Sequence, residues 1–229
     1  QELSDYYEEK GRFPDFSNRN GFTRYVVQSS EHKAANVEYG MAPEKLVILG
    51  SARFCEEWSA INYSLIVNRL GERIPCNEAT ILFFLPHWNY NVYRNKCVSL
   101  MSQIAKLPGT ALMVKAHTRG SGTMSTAEQV KLAENYPVVF VDDTIHSVSL
   151  VSEADIVINF GSSIGFEALR QGKPVINPTY LHNNQTFFDN SGAVYDAHTE
   201  ESTLKQIKYL LYKFHHLFHK QYPLPNLQV

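Results

Sequence analysis

Cysteine is scarce in this sequence, and its spacing excludes two classes of protein. The three cysteines, Cys55, Cys76 and Cys97, are odd in number and lie far apart. Small secreted domains held by disulfides have denser, paired cysteines, and zinc sites need closely spaced ligands. We therefore expect reduced thiols in a cytoplasmic protein.

Long apolar runs and a dominant charge are also absent. No segment approaches the roughly 18 consecutive apolar residues that a membrane-spanning helix requires, and the first ten residues are acidic where a signal peptide is basic. Lys and Arg number 21 against 23 Asp and Glu, which gives a net charge of -2. Without a basic excess, nucleic acid is not expected as a partner.

Short apolar runs alternate with helix-like segments through most of the 229 residues. The runs predict strands at 80–85, 111–115, 138–141, 156–158 and 175–176. Helices are predicted between them at 92–106, 125–135, 145–153 and 164–171. This alternation predicts an α/β fold, a Rossmann-like doubly wound parallel sheet with helices on both faces. The loops that follow the strands would then meet at one edge of the sheet.

A smaller unit precedes that sheet. Two short strands, at 25–27 and 46–49, flank a helix at 31–39 that Ser29 or Ser30 caps and Gly40 ends. These segments predict a partial amino-terminal β-α-β unit. Residues 53–72 follow with apolar residues near a helical period and predict one more helix.

Residues 155–178 contain the strongest candidate for a ligand site. A short apolar strand leads to a turn at Gly161, then to Ser162 and Ser163 at the expected N-cap, and then to a two-turn helix and another strand. The amides at the start of such a helix point out at the edge of the sheet, where an anion binds favourably. Ordinary helix capping explains the two serines equally well. On the same helix Glu167 can accept hydrogen bonds from a ribose or face solvent.

The other predicted strands are also followed by loops of interest. The loop 86–91 is rich in polar and aromatic residues, with His87 and Asn91 as ligand candidates, and is otherwise a turn packed under Trp88. The loop 115–122 holds His117, Arg119 and two glycines, a composition that suits anion binding or a solvated surface. Asp142 and Asp143 could be taken for metal ligands, but adjacent carboxylates before a helix are more often N-caps and no third ligand is evident. We therefore predict that no metal ion binds there. After the last predicted strand, the loop 179–192 can close over a ligand.

Two of these stretches resemble motifs of a known family. The segment Glu167 to Val175 resembles the Glu-Ala-three residues-Gly-x-Pro-Val signature in the nucleotide-binding half of GT-B glycosyltransferases. The pair Ser162 and Ser163 resembles the paired serines of members that use cytidine-linked donors. The segment 115–119 resembles a Lys-x-His-Pro-Arg motif, with threonine in place of proline. Asn159 occupies the position of a second glutamate in retaining two-glutamate enzymes, which disfavours that subfamily.

The resemblance implies a fold, a set of roles and a division of the chain. Glu167 would hold the donor ribose, the two serines the donor phosphate, and His117 the same phosphate as the catalytic residue, with Arg119 beside it. Residues 1–52 would end an acceptor-side domain, 53–77 form a hinge helix and linker, 78–199 bind the nucleotide donor, and 200–229 form a closing helix and tail. Most of the acceptor-binding domain would then be absent from this chain.

The resemblance also implies an activity. The chain would be a glycosyltransferase or polyol-phosphate transferase of bacterial-type surface polysaccharide synthesis. It would use a CMP- or UDP-linked donor as substrate without a separate cofactor, and a glycan or lipid-linked acceptor. Two alternatives stay open: a non-hydrolysing UDP-sugar 2-epimerase, which shares the architecture, and a non-catalytic nucleotide-binding or assembly module.

The last predicted helix, about 200–220, is amphipathic and basic. Its apolar stripe suits packing on the domain, which is the simpler role. Its lysines, histidines and aromatic residues also suit an anionic membrane surface. The second interpretation would place the protein peripherally at the inner face of the membrane.

Overall fold

The computed structural model describes residues 15–64, 79–117, 124–141, 144–184 and 186–218, with side chains described as far as residue 213. The chain forms two compact units, residues 1–64 and 65–229. The acidic first ten residues, the part of the predicted helix 53–72 beyond residue 64, and the tail after residue 218 lie outside the described residues. The predicted domain boundaries stay predictions.

The first unit contains the predicted β-α-β arrangement. Its elements are strand β1 (Tyr25–Val27), helix α1 (Ser30–Glu38), strand β2 (Leu46–Ile48) and helix α2 (Glu56–Ser64). The two strands pair in parallel, and α1 supplies the crossover connection that a parallel pair needs. The hydroxyl of Ser29 caps α1 by accepting a hydrogen bond from the backbone N–H of His32. Gly40 then ends the turn with a φ of +98°, a conformation that glycine adopts at little cost.

The second unit alternates strands and helices as predicted. Its strands are β3 (Ala79–Leu85), β4 (Thr110–Ala116), β5 (Val138–Phe140), β6 (Ile156–Ile158), β7 (Val175–Pro178) and β8 (Tyr195–Ala197). Its helices are α3 (Arg94–Ile104), α4 (Thr126–Asn135), α5 (Ser147–Glu153), α6 (Ile164–Arg170) and α7 (Glu200–Phe218). All strand pairs of this sheet are parallel, which confirms the predicted α/β class.

The strand order of the sheet is β5-β4-β3-β6-β7-β8. The chain winds outward from β3 through β4 to β5, then returns beside β3 with β6 and winds outward the other way. The order therefore reverses between β3 and β6. In doubly wound sheets, ligands bind in the crevice at the carboxyl ends of the strands where the order reverses. The topology selects the loops after β3 and β6 as the walls of that crevice.

The core lies on both faces of this sheet because alternate strand residues point to opposite sides. On one face Ile81 and Phe83 pack with residues of α3, α4 and α7, such as Leu100 and Ile207. On the other face Leu82 packs with residues of α5 and α6. Strands β3, β4 and β6 are almost wholly buried, which explains why they read as continuous apolar runs.

The sheet has one strand more than the sequence predicted. Strand β8 is only three residues long and contains Asp196, so it produces no apolar run. Strand β8 pairs with β7, and side chains reinforce the pairing. Asn177 of β7 donates from Nδ2 to the carboxylate of Asp196 in β8 and to that of Asp189, at 2.8 Å each. The bond to Asp189 also fixes one point of the predicted loop 179–192, and closure of that loop over a ligand stays a prediction.

Candidate functional site at the carboxyl edge of the sheet

Two predicted histidines meet beside the crevice. Strand β3 lies between β4 and β6, and Leu85 at the end of β3 pairs in register with Ala116 at the end of β4. His87 and His117 follow these two residues almost directly. Their ring centroids lie 6.2 Å apart with the ring planes nearly perpendicular. The structure therefore brings together two imidazoles that lie thirty positions apart in the chain.

Tyr90 completes an aromatic cluster with these histidines. Its ring centroid is 5.7 Å from that of His117 and 5.4 Å from that of His87. The Nδ1 atom of His87 accepts a hydrogen bond of 3.2 Å from the backbone N–H of Asn89. In the neutral ring the hydrogen must then reside on Nε2, so His87 presents a hydrogen-bond donor there. All three side chains are partly exposed and accessible to a ligand.

The serine turn lies at the other wall of the crevice, after β6. Gly161 has a φ of +81°, and Ser162 and Ser163 are exposed at the turn. The buried side chain of Asn159 holds the turn by donating from Nδ2 to the carbonyl of Ser162 at 2.9 Å. The sequence analysis did not assign this role to Asn159. Its position immediately after a buried strand was the available signal.

The start of α6 differs from the prediction in one respect. We expected free helix amides pointing at the edge, but the N–H groups of Ile164, Gly165 and Phe166 bond within the turn. Ile164 donates to the Ser162 hydroxyl at 3.4 Å, and the other two donate to the carbonyls of Ser162 and Ser163. Ser163 occupies the N-cap position without a side-chain capping bond. An anion at this turn would therefore rely on the serine side chains rather than on those three amides.

A close packing contact fixes α6 against the segment that follows β7. A Cβ atom placed on Gly165 would lie 2.7 Å from Cζ of Phe188 and 2.6 Å from Nδ2 of Asn159. Phe188 is buried, and its ring centroid also lies 4.8 Å from that of Phe166. Only glycine leaves enough room here. Gly165, like Asn159, is therefore a supporting residue of the site that the sequence did not reveal.

We expect Gly165→Ala to destabilise the fold by about 1–3 kcal/mol, because the new methyl group overpacks the contact with Phe188 and Asn159. The measurement is chemical denaturation followed by circular dichroism. Gly21→Ala is the control for an added methyl group, since a Cβ there meets nothing within 4 Å and Gly21 does not have a left-handed φ. A Gly165→Ala protein as stable as the wild type would show that the packing relaxes freely.

Glu167 is not at the surface of the turn. It is only 2% exposed, and its Oε1 atom accepts a weak hydrogen bond of 3.4 Å from Nε2 of Gln171. Gln171 in turn bonds the carbonyl of Val148 in α5. The carboxylate thus lies on the side of α6 that packs towards α5. A ribose contact by Glu167 requires a local rearrangement and stays a prediction.

The remaining predicted residues are placed as follows. The side-chain amide of Asn91 donates to Oδ1 of Asn184 at 3.2 Å, so it joins the loop after β3 to the segment after β7. Arg119 and the pair Asp142 and Asp143 lie outside the described residues. Within the described ranges, no group of three His, Cys, Asp or Glu side chains is arranged to hold a metal ion. The described helices include none that is both long and apolar enough to span a membrane.

A third histidine lies at the same edge and was missed. His182 follows β7, is 5% exposed, and stacks face to face on Phe160 with centroids 5.7 Å apart and an interplanar angle of 7°. Burial lowers the pKa of this imidazole, although the nearby Asp189 carboxylate opposes the shift. We therefore expect a neutral ring. A histidine in a polar loop directly after a strand was the signal in the sequence.

Asp189 anchors the segment that carries His182. Its carboxylate accepts hydrogen bonds from the backbone N–H and the hydroxyl of Thr186, at 2.8 and 2.7 Å, and from Asn177. Burial raises the pKa of Asp189, but these hydrogen bonds outweigh burial and the net shift is downward. The charged form is therefore the one that holds the segment in place.

Solved structures of other proteins share the fold. The chain superposes on UDP-GlcNAc 2-epimerase from Neisseria meningitidis bound to UDP-GlcNAc with a TM-score of 0.59 at 14% identity, covering 89% of this chain and 56% of that one. The TM-score with Alr3699/HepE from Anabaena in complex with UDP is 0.51 at 14% identity, covering 85% of this chain and 56% of that one. The TM-score with the wall teichoic acid polymerase TagF is 0.52 at 14% identity, covering 90% of this chain and 53% of that one. The chain spans about half the length of these proteins, and at such identities the likeness shows the fold.

A sequence comparison supplies the family. No curated protein matches the chain. The family model described as capsule polysaccharide biosynthesis protein matches residues 87–221, which is more than half of the chain and contains both histidines, the serine turn and α7. This match confirms the predicted connection to surface polysaccharide synthesis, and the similar structures confirm the predicted Rossmann-like half of a GT-B fold. The chain belongs to the capsule polysaccharide biosynthesis protein family.

Proposed function

We propose that this chain binds the nucleotide-activated donor of a GT-B type glycosyltransferase or polyol-phosphate transferase in surface polysaccharide synthesis. The observation that carries the proposal is the placement of His87, His117 and the exposed Ser162–Ser163 turn around the point where the strand order reverses. Two of the similar structures contain UDP-GlcNAc or UDP, which supports a nucleotide ligand of the same class.

The chemistry follows from the charge that develops on the donor. When the bond to the transferred group breaks, negative charge builds on the departing phosphate. Groups that neutralise this charge in the transition state accelerate the reaction. The two serine hydroxyls and the imidazole of His117 are suited to this task, and Arg119 is a further candidate from the sequence. The general base would belong to the acceptor side and is not assigned.

Binding of nucleotides tests this proposal directly. In a calorimeter we expect CMP, CDP or UDP to bind more tightly than ADP, with a clear preference among the three. The paired serines resemble those of enzymes that use cytidine-linked donors. A preference for CMP or CDP would support a donor of that type. Cytidine and uridine serve as controls that lack phosphate. Absence of binding by all four nucleotides would contradict the proposal and favour a non-catalytic module.

The epimerase alternative is supported by one observation, the fold likeness to UDP-GlcNAc 2-epimerase. That likeness does not extend beyond the fold at 14% identity. The family match with capsule polysaccharide biosynthesis proteins favours the transferase. Incubation with UDP-GlcNAc, followed by NMR of the sugar, separates the two: conversion to a 2-epimer without release of UDP would favour the alternative.

We also propose that helix α7 contacts an anionic membrane surface, where a lipid-linked acceptor would be found. Tyr209 and Tyr212 are 54% and 64% exposed, and three exposed lysines accompany them: Lys205, Lys208 and Lys213. Residues three and four apart share one face of a helix, so the stripe 205-208-209-212 combines cations with amphipathic rings. Such a face suits the headgroup region of anionic lipids.

Replacing the three lysines by glutamate should abolish sedimentation with vesicles that contain phosphatidylglycerol, because each lysine near such a surface contributes about 1 kcal/mol. Vesicles of phosphatidylcholine alone should bind neither protein. Lys131→Glu, at an exposed lysine on α4, is the matched control for the single variant Lys208→Glu, which should weaken sedimentation in part. Equal sedimentation of wild type and triple variant would assign α7 to packing alone.

A further inference from the structure

His182 carries a buried hydrogen-bond donor without an acceptor. Its Nδ1 atom accepts a hydrogen bond of 3.1 Å from the backbone N–H of Asn184. A neutral imidazole has one donor and one acceptor, so the hydrogen must reside on Nε2. Within the described part of the chain, Nε2 is buried and has no partner. Burying an unsatisfied donor is costly, and such groups call for an explanation.

The position of His182 is central to the carboxyl edge. Its ring stacks on Phe160, the residue immediately before Gly161 and the serine turn. Its backbone forms an antiparallel bridge with Val92, in the segment that follows His87. Strand β7, which leads to His182, lies next to β6, which leads to the turn. The imidazole is therefore placed between the two loops that form the crevice.

Neighbouring polar groups do not supply the missing acceptor. Asp189 is close enough to act electrostatically on the imidazole, but Nε2 forms no hydrogen bond with its carboxylate or with any other group in the described part of the chain. The hydroxyl of Tyr180, two positions before His182, is also buried without a hydrogen bond in the described part of the chain, and the side chain that interacts with it is Thr203 of α7. His182 is the one of these two whose ring lies against the turn.

We propose that Nε2–H of His182 donates a hydrogen bond to a phosphate oxygen of the bound nucleotide donor. The proposal rests on the proposed function and adds a third imidazole to the donor site. A phosphate oxygen is a charged acceptor, and hydrogen bonds to such groups are about twice as strong as neutral ones. Because Nε2 is covered by protein atoms, binding must include a local shift of the side chains that cover it.

The test compares two substitutions in the full chain. His182→Phe keeps an aromatic ring on Phe160 and removes the N–H, whereas His182→Gln retains an N–H near the position of Nε2. We expect His182→Phe to weaken CDP and UDP binding about ten- to hundredfold, and His182→Gln to weaken it less. Binding of cytidine and uridine should stay within about twofold, because these ligands lack the phosphate. His198→Phe, at an exposed histidine after β8, is the control.

A stability measurement separates a binding role from a structural one. His182→Phe removes the orphaned Nε2 donor but also the Nδ1 acceptor for the backbone N–H of Asn184, a residue that is partly exposed. The two effects oppose each other, so the melting temperature without ligand should change little. Unchanged CDP and UDP affinity in a folded His182→Phe protein would overturn the inference and make His182 a packing residue. If the phenylalanine variant does not fold, His182→Leu gives the same comparison with less volume. Failure of the wild-type protein to bind any nucleotide would instead overturn the proposed function itself.

Discussion

His117→Ala is expected to lower turnover about a hundredfold or more when an acceptor is present, because general acid–base and charge-stabilising groups contribute at least this much. The imidazole follows β4 and contacts His87 and Tyr90. Strand β4 lies on one side of β3, and β6, which leads to the serine turn, lies on the other side. Release of free nucleotide from the donor, measured against acceptor concentration, gives the rate.

The loss should appear mainly in kcat rather than in nucleotide affinity. An interaction that strengthens as charge builds on the leaving phosphate acts on the transition state more than on the ground state. His198→Ala is the matched control, an exposed histidine at the end of β8. Full activity in a folded His117→Ala protein would remove this residue from the catalytic site.

The double substitution Ser162→Ala with Ser163→Ala is expected to weaken CMP, CDP or UDP binding by about a hundredfold or more. Each hydroxyl would supply a charge-assisted hydrogen bond worth about 1.5–3 kcal/mol. The fold should be preserved, since both residues are exposed and the capping contribution is limited to a 3.4 Å bond from Ile164 to Ser162. Calorimetry gives the affinities, and thermal unfolding confirms that the variant is folded.

A serine elsewhere controls for the loss of a local turn bond. Ser191 is exposed, and its hydroxyl accepts a hydrogen bond of 3.2 Å from the backbone of Ala193. Ser191→Ala should therefore leave nucleotide affinity unchanged. Wild-type affinity in the folded double variant would show that the Ser162–Ser163 turn is an ordinary helix start rather than a phosphate site.

Much of the candidate site was predictable because its residues directly follow buried strands. The apolar runs fix β3, β4 and β6, and parallel strands with right-handed connections place the following loops at one edge. His87, His117, Ser162 and Ser163 were identified on this basis. Their mutual distances were not, since they depend on the order of strands in the sheet.

Other parts of the site could not be read from local sequence. Strand β8 exists because Asn177 bridges Asp189 and Asp196, three residues spread over twenty positions. The need for glycine at 165 comes from Phe188, and the burial of Glu167 comes from the packing of α6 on α5. Each of these features is a contact between elements, so the pattern of apolar residues within one element does not predict it.

The sequence by itself determined the α/β class, the boundaries of most elements and the family, because apolar periodicity and the segment around the serine turn are local properties of the chain. The tertiary structure decided which loops meet. Pairing of β3 with both β4 and β6 creates the crevice, and pairing of β7 with β6 places His182 beside the turn. Strand order is a global outcome of packing, so it decides the site although no single segment specifies it.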